Sequence, residues 1–276
     1  MDPDRANLLK AEGNKRFMRA EFAPAEALYS QAIILDPKNP NLYTNRALAR
    51  LRLERWGEAA DDCNTCLERA PDNMKALYYL SQAELKLRDF DAAITHCRRA
   101  HDICVQTNDK SLTPITAHML DCKKARWEYL EKKRAREASP LEAETIALFE
   151  REKETALASL GEASDSDRAE IAAEWDAKLA SLRDTFAAAR NASAATARRN
   201  VPDWAIDDIT FAIMVDPVVT NTGKSYERAA ILEHLRRQET DPLTREVLKT
   251  SDLRPNLDLR AACEEFLDEN GWAVDW

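Results

Sequence analysis

Long apolar runs are missing: none approaches the roughly 20 residues that a membrane span needs. The first residues, MDPDRANLLKAEGNK, lack an apolar core behind a basic start, so no secretory signal is expected and the default address is cytoplasmic or nuclear. Basic surplus is missing too. Forty Lys and Arg against 49 Asp and Glu leave a net charge of −9, which argues against bulk nucleic-acid binding. Metal-ligand spacing is also wanting. Cys63 and Cys66 form a CxxC, but no second pair stands at zinc-ligand distance, and the six cysteines read as small buried apolar residues. No metal or cofactor is expected. Hydrophobic residues make up 45% of the chain, enough for packed cores, which excludes wholesale disorder.

What is present is periodicity. Phe22, Trp56 and Phe90 recur every 34 residues. Behind them, in the same phase, stand Ala25, Ala59 and Ala93, then Tyr29, Cys63 and Cys97, then Ala32, Cys66 and Ala100. Pro37 and Pro71 close the first two units. Small columns let paired helices approach, and the aromatic column fills the gap between them. The pattern matches tetratricopeptide repeats at 6–39, 40–73 and 74–107. The usual glycine of the first helix survives only as Gly13, with Ala47 and Ser81 in its place later. The last unit needs a cover, and Pro114 to about Arg136, with Trp127 and Tyr129, suits a capping helix. The repeat domain is thus 1–136.

Polar residues on the first helix of each unit can point into the concave groove. Lys10 and Asn14 lie in unit one, Asn45 in unit two and Lys75 in unit three. Lysine ammonium groups supply charge and amide NH₂ groups supply directed hydrogen bonds, which together suit a terminal carboxylate. The alternative is a solvated helix face. The set resembles the dicarboxylate clamp of chaperone-binding repeat domains, which implies binding of the C-terminal Glu-Glu-Val-Asp tail of the seventy- and ninety-kilodalton heat-shock chaperones. Arg52 would pair with a further acidic group. Some relatives carry Arg where Tyr79 stands; here Tyr78 and Tyr79 offer a flat apolar wall with a phenolic handle.

From 137 to 200 strong helix formers dominate, with almost no Gly or Pro beyond Pro140 and Gly161. Two helices are expected, roughly Pro140–Leu160 and Asp167–Arg190, turning at GEASDSD and followed by a hinge-like NASAATARRN. Leu141, Ile146, Phe149 and Leu157 form one stripe; Ile171, Trp175, Leu179, Leu182 and Phe186 form the other. So thin a hairpin needs a partner for its apolar stripe. A second copy, giving a coiled-coil homodimer, is expected; docking on the repeats is the alternative. The basic Lys123–Arg136 stretch is interrupted by acidic residues and reads as a solvated helix face.

Composition shifts again at Val201. Ile209–Phe211 and Pro217–Thr220 read as short strands, Asn221–Gly223 as a turn, Ser225–Gln238 as a helix, Thr240–Arg245 as a loop and Leu257–Asn270 as a second helix stopped by Gly271. The pieces PDW, DITFAIMVDPV, TGKSYER, DPLTRE and LRPNLDLR resemble the U-box domain of ubiquitin ligases, over 201–276. That resemblance implies a RING-shaped domain without zinc, its loops fixed by polar contacts among residues such as Asp203, Asp216, Tyr226, Glu227, Arg245 and Asn256. It also implies a groove for a charged ubiquitin-conjugating enzyme, lined by Ile209, Phe211, Pro242, Leu243, His234 and Asn256. Arg245 would steady the ubiquitin thioester, without a nucleophile of its own.

The fold class is therefore mainly α with a small α+β domain: a helical solenoid, an antiparallel hairpin and a RING-like end. The order of parts resembles the chaperone-interacting U-box ubiquitin ligases. It implies a co-chaperone that directs ubiquitin to lysines of chaperones or misfolded clients. A non-catalytic chaperone-binding scaffold, and a U-box ligase whose groove binds something else, are the rival readings.

Overall fold

Repeats of 34 residues fold into helix pairs because start, turn and contact signals recur in phase. The computed structural model describes residues 2–160, 165–195 and 200–276. The pairs are α1 (Pro3–Met18) with α2 (Phe22–Leu35), α3 (Pro40–Arg52) with α4 (Trp56–Arg69), and α5 (Met74–Leu87) with α6 (Phe90–Thr107). Side chains of Asp2, Asn39 and Asn73 accept backbone N–H groups at the starts of α1, α3 and α5. Within each pair one residue takes the left-handed conformation: Ala20, Glu54 and Arg88, at φ 60°, 59° and 67°. The three small columns are buried throughout.

The substitution of Gly13 by Ala47 and Ser81 follows from size. A Cβ on Gly13 would lie 2.6 Å from the Tyr29 ring. In the later units the facing residue is Cys63 or Cys97, which leaves room. Ala47 packs with Cys63, and Ser81 donates to the Ala93 carbonyl at 2.8 Å.

The expected capping helix and the first arm of the hairpin are one element. α7 runs Leu112–Ala158, 47 residues, straight through Pro140. The proline removes one backbone donor, but the Ala-, Glu-, Lys- and Arg-rich flanks keep the helix going. α8 (Asp165–Ala195) lies antiparallel to its second half: Lys153 pairs with Asp176, Glu150 with Arg183, and the Phe149 and Trp175 rings meet edge to face at 6.2 Å. The expected turn at 161–164 and part of the expected hinge, 196–199, lie outside the described residues; the first half of that hinge, 191–195, instead continues α8.

The C-terminal part has an antiparallel sheet of order β2-β1-β3, from β1 (Pro217–Val219), β2 (Ser225–Glu227) and β3 (Arg254–Pro255), with α9 (Arg228–Leu235) and α10 (Leu257–Glu269). Val218 faces Tyr226 on one side and Pro255 on the other. Gly223, at φ 82°, closes the β1–β2 hairpin. Val218, Tyr226, Ile231, Leu235 and Leu248 form the core. Two expectations change. Ser225–Glu227 is strand, so the helix begins only at Arg228. Ile209–Phe211 is a turn rather than a strand, because Asp207 captures the Thr210 amide and hydroxyl at 2.8 and 2.7 Å.

By packing, the chain divides into two compact units: 1–127 with 202–275, and 128–201 with the last residue. The first holds repeats and sheet domain together. Ala229 of α9 is buried in the same apolar cluster as Leu77, Cys97, Ala100 and Ile115 of the third repeat and its cap, with Val215 and Leu232 packed alongside. Trp127 donates its indole N–H to the Glu269 carbonyl at 3.0 Å, and its Cβ occupies the space that a side chain on Gly271 would need.

Candidate functional site

The groove residues assemble through side-chain hydrogen bonds. The Tyr29 hydroxyl donates to Asn14 Oδ1 at 2.8 Å, and Asn45 Nδ2 donates to the same oxygen at 3.2 Å. Asn14 therefore joins α2, α1 and α3. With its oxygen engaged twice, its NH₂ is left to serve a ligand. Burial pushes the Tyr29 phenol up to about 12, so it stays a donor across the physiological range. Lys10, one turn before Asn14, bonds the Asn7 side chain at 3.1 Å and is half-buried. Lys75 is exposed at the start of α5, facing Asp109 electrostatically. Two lysines and two amides thus stand on three helices, a donor-rich set suited to an anionic terminus.

Tyr78 is half-buried. Its ring meets that of His118 edge to face at 5.5 Å and lies 6.0 Å from that of Tyr79. Arg52 is apart from the Asn14–Asn45 pair, in a cleft with Leu48, Trp56, Gln82, His118 and Asp121. Burial holds the His118 imidazole below its ordinary pKa, against the opposing pull of Asp121, and its Nε2 lies 3.0 Å from Ser81 Oγ.

At the other site, two loops share one construction. Each reads Asp-x-x-Thr, at 207–210 and 241–244. In each, the amide of the residue just after the motif closes a tight turn on the Asp carbonyl: Phe211 on Asp207 at 2.8 Å, Arg245 on Asp241 at 2.9 Å. In each, the Asp amide donates to the carbonyl five residues on, at 2.9 and 2.8 Å. Bridges Ile206–Ile213 and Thr240–Val247 close both loops, and Phe211 and Arg245 both sit in the left-handed region at φ 57° and 62°. Adjacent residues of β2 hold the pair. The Glu227 amide donates to Asp207 at 2.9 Å and the Tyr226 hydroxyl to Asp241 at 2.9 Å.

Asp241 also accepts from the Leu243 and Thr244 amides, at 2.8 and 3.0 Å, and from the Thr222 hydroxyl at 3.2 Å. Burial alone would raise its pKa; these donors hold it below the usual carboxylate range. Among the described residues no group of three His, Cys, Asp or Glu could hold a metal ion.

The loops present apolar side chains to solvent. Phe211 is 72% exposed, Leu243 57% and Val247 68%. Ile209 is half-buried against the core, Pro242 is half-buried, and His234 Nε2 bonds the Thr240 carbonyl at 2.9 Å. The exposed Arg245 leaves its guanidinium without an ion-pair partner among the described residues. Asn256 is placed differently: its oxygen caps α10 through the Leu259 amide at 3.2 Å, and its nitrogen donates to Ser225 at 3.1 Å. Of the expected polar braces, Tyr226, Glu227, Asp216 and Asn256 serve: Asp216 pairs with Arg228 at 2.6 Å, and Glu227 accepts the Val215 and Asp216 amides. Sequence reasoning missed Asp207, Asp241 and Val247. The repeated Asp-x-x-Thr, 34 residues apart, was the available signal for both carboxylates.

Comparison with known proteins agrees with this division. The U-box domain family matches residues 201–272, and the tetratricopeptide repeat family matches 11–73 and 45–104. E3 ubiquitin-protein ligase CHIP of Arabidopsis thaliana is 31% identical over 271 residues, covering 97% of this chain and 95% of that protein. The Hsp70/Hsp90 co-chaperone CNS1 of Saccharomyces cerevisiae is 28% identical over 147 residues, 52% of this chain and 38% of that one. Among solved structures, the first TPR of Spaghetti (RPAP3) bound to an HSP90 peptide is 29% identical over 42% of this chain and 93% of that one, at a TM-score of 0.38.

Proposed function

This chain belongs to the CHIP family of E3 ubiquitin-protein ligases, and from that membership we propose that it couples a carboxylate clamp in its repeats to ubiquitin transfer at its U-box. The observation that carries the reading is a likeness that runs through both ends of the chain, with the groove donors at one end and the exposed docking loops at the other. As a U-box ligase it recruits a ubiquitin-conjugating enzyme on Phe211, Ile209, Pro242, Leu243 and Val247. Transfer is catalysis by positioning: a substrate lysine attacks the thioester while Arg245, a planar fork of five donors, restrains the ubiquitin-bound state.

The clamp takes the C-terminal Glu-Glu-Val-Asp tail of seventy- and ninety-kilodalton heat-shock chaperones. Lys10 and Lys75 meet its carboxylates, Asn14 and Asn45 bond its terminus, Tyr78 flanks an apolar side chain and Arg52 meets an acidic one upstream. Chaperones and their misfolded clients receive the ubiquitin. The hairpin α7–α8 pairs with a second copy, and the protein works in the cytoplasm or nucleus.

The decisive experiment is a binding titration with a labelled Glu-Glu-Val-Asp peptide beside its C-terminal amide. The acid binds and the amide does not. Lys10→Ala or Lys75→Ala each weakens the acid by ~10- to 100-fold, the worth of one charge-assisted hydrogen bond. Equal binding of acid and amide sinks the clamp. In parallel, thioester discharge by a conjugating enzyme is lost in Phe211→Ala; a wild type inert with every conjugating enzyme tried sinks the ligase reading and leaves a scaffold.

A further inference from the structure

The seam between the third repeat and the U-box is lined by ion pairs and buries one unpaired base. Arg98 of α6 pairs with Glu264 of α10, and Lys123 of α7 lies 3.2 Å from Asp268 and 3.9 Å from Glu264. At its centre is His101 of α6, 1% exposed, with neither ring nitrogen making a hydrogen bond. Its Nδ1 is 3.7 Å from Asp102 and its Nε2 4.0 Å from Asp216.

Those two carboxylates are already matched. Asp216 is bound by Arg228 at 2.6 Å and faced by Arg260 at 3.6 Å, and Arg260 also reaches Asp102 at 3.9 Å. Two carboxylates and two guanidinium groups cancel, and the Arg98–Glu264 pair cancels by itself. A neutral imidazole leaves the seam balanced. A protonated one adds a charge with no counter-charge, in a wall otherwise made of Ala100, Cys104, Val215, Ala229 and Leu232. Burial holds the imidazole's pKa below its ordinary value, against the opposing pull of Asp216 and Asp102.

We propose that His101 is the trigger of a proton-operated latch: neutral, it lets the U-box stay seated on the third repeat; protonated, it loads the seam with surplus charge and releases the U-box. The groups that meet it are complete enough to fix the direction. From α6 come Asp102 and Arg98, from the loop before β1 comes Asp216, from α9 Arg228, and from α10 Arg260 and Glu264. Beside Asp216 lies Glu227, a carboxyl that burial pushes up to about 7, so it gains a proton over the same interval and leaves no new anion to offset the imidazolium. The latch is independent of the ligase reading, since its parts belong to the fold and not to the docking loops.

The test is hydrogen–deuterium exchange of the full-length protein between about pH 7.5 and about pH 5.5, corrected for intrinsic exchange rate and read on α6, α10 and residues 214–216. Relative to His101→Phe, which shares Glu227, protection along the wild-type seam falls by up to ~10-fold per pH unit, the limit for one linked proton. His101→Phe keeps the shape without the base and stays protected throughout. Arg260→Gln decides the matter if that variant fails to fold: with one cation removed, a protonated His101 is balanced and the fall disappears. Wild-type protection that tracks His101→Phe at every pH overturns the latch. So does an equal fall in wild type and variants, which would trace acid sensitivity to the other histidines they share.

Discussion

Glu227 carries the clearest pH consequence of any single residue. Its Oε2 accepts two backbone amides, yet its Oε1 is buried without a partner, and burial raises the carboxyl from 4.5 to about 7. The folded protein therefore keeps a proton that the unfolded chain gives up. That contribution is complete below about pH 4.5 and is lost as pH rises through 7. Glu227→Gln, which cannot ionise, is expected to be more stable than wild type above pH 7, by up to about 3 kcal/mol, and to differ little near pH 5. Urea unfolding at the two pH values measures the difference. Asp241 behaves in the opposite sense, since its donors favour the charged form. Asp241→Ala strands two amides and two hydroxyls and costs about 3 kcal/mol or more. Asp241→Asn keeps the shape but loses the charge; it is expected to slow thioester discharge more than it weakens conjugating-enzyme binding, because Arg245 is positioned through the loop backbone. A discharge assay over a range of conjugating-enzyme concentrations separates the two.

At the scale of elements, local packing and ligand geometry are linked through Gly13. Gly13→Ala drives a Cβ into the Tyr29 ring, and Tyr29 is the residue that orients Asn14. The variant is expected to weaken peptide binding several-fold with its helices intact, a dissociation that circular dichroism and a binding titration read together. Gly13 also shows what is legible in a sequence. The helix pairs were readable because the 34-residue columns are contacts repeated three times, so Ala25, Ala59 and Ala93 announce one another. Lys10, Asn14, Asn45 and Lys75 stand out for the same reason, as polar interruptions in known phase, and the structure joins Asn14 to Asn45. The sheet domain offered no such redundancy. Ile209–Phe211 has β-formers but is a turn, because the neighbouring carboxylate of Asp207 captures Thr210 and outweighs β propensity. Ser225–Glu227 joins a sheet whose other strands are only two or three residues long, below the length at which alternation can be recognised. Asn256, expected both as a brace and at the groove, serves as a brace by capping α10 and bonding Ser225.

The first of the two units holds clamp and docking loops together, because Leu77 and Ala229 sit in a common core. A fragment of residues 201–276 would expose Val215, Ala229 and Leu232 to water, and thermal unfolding is expected to show it less stable than the same segment in the full chain. Pairing of the hairpins is tested separately by light scattering: a mass about twice the 31.3 kDa of one chain supports the dimer, and a mass near one chain removes it. The shared core has a further result. If the anchor for the chaperone tail and the seat of the thioester are fixed in one frame, the ligase cannot search for lysines by swinging between them. The search passes to the substrate: the slack in its own tail, upstream of the clamped terminus, sets how often each lysine visits the thioester. Lengthening that tail would redistribute the modified lysines without any change in the enzyme.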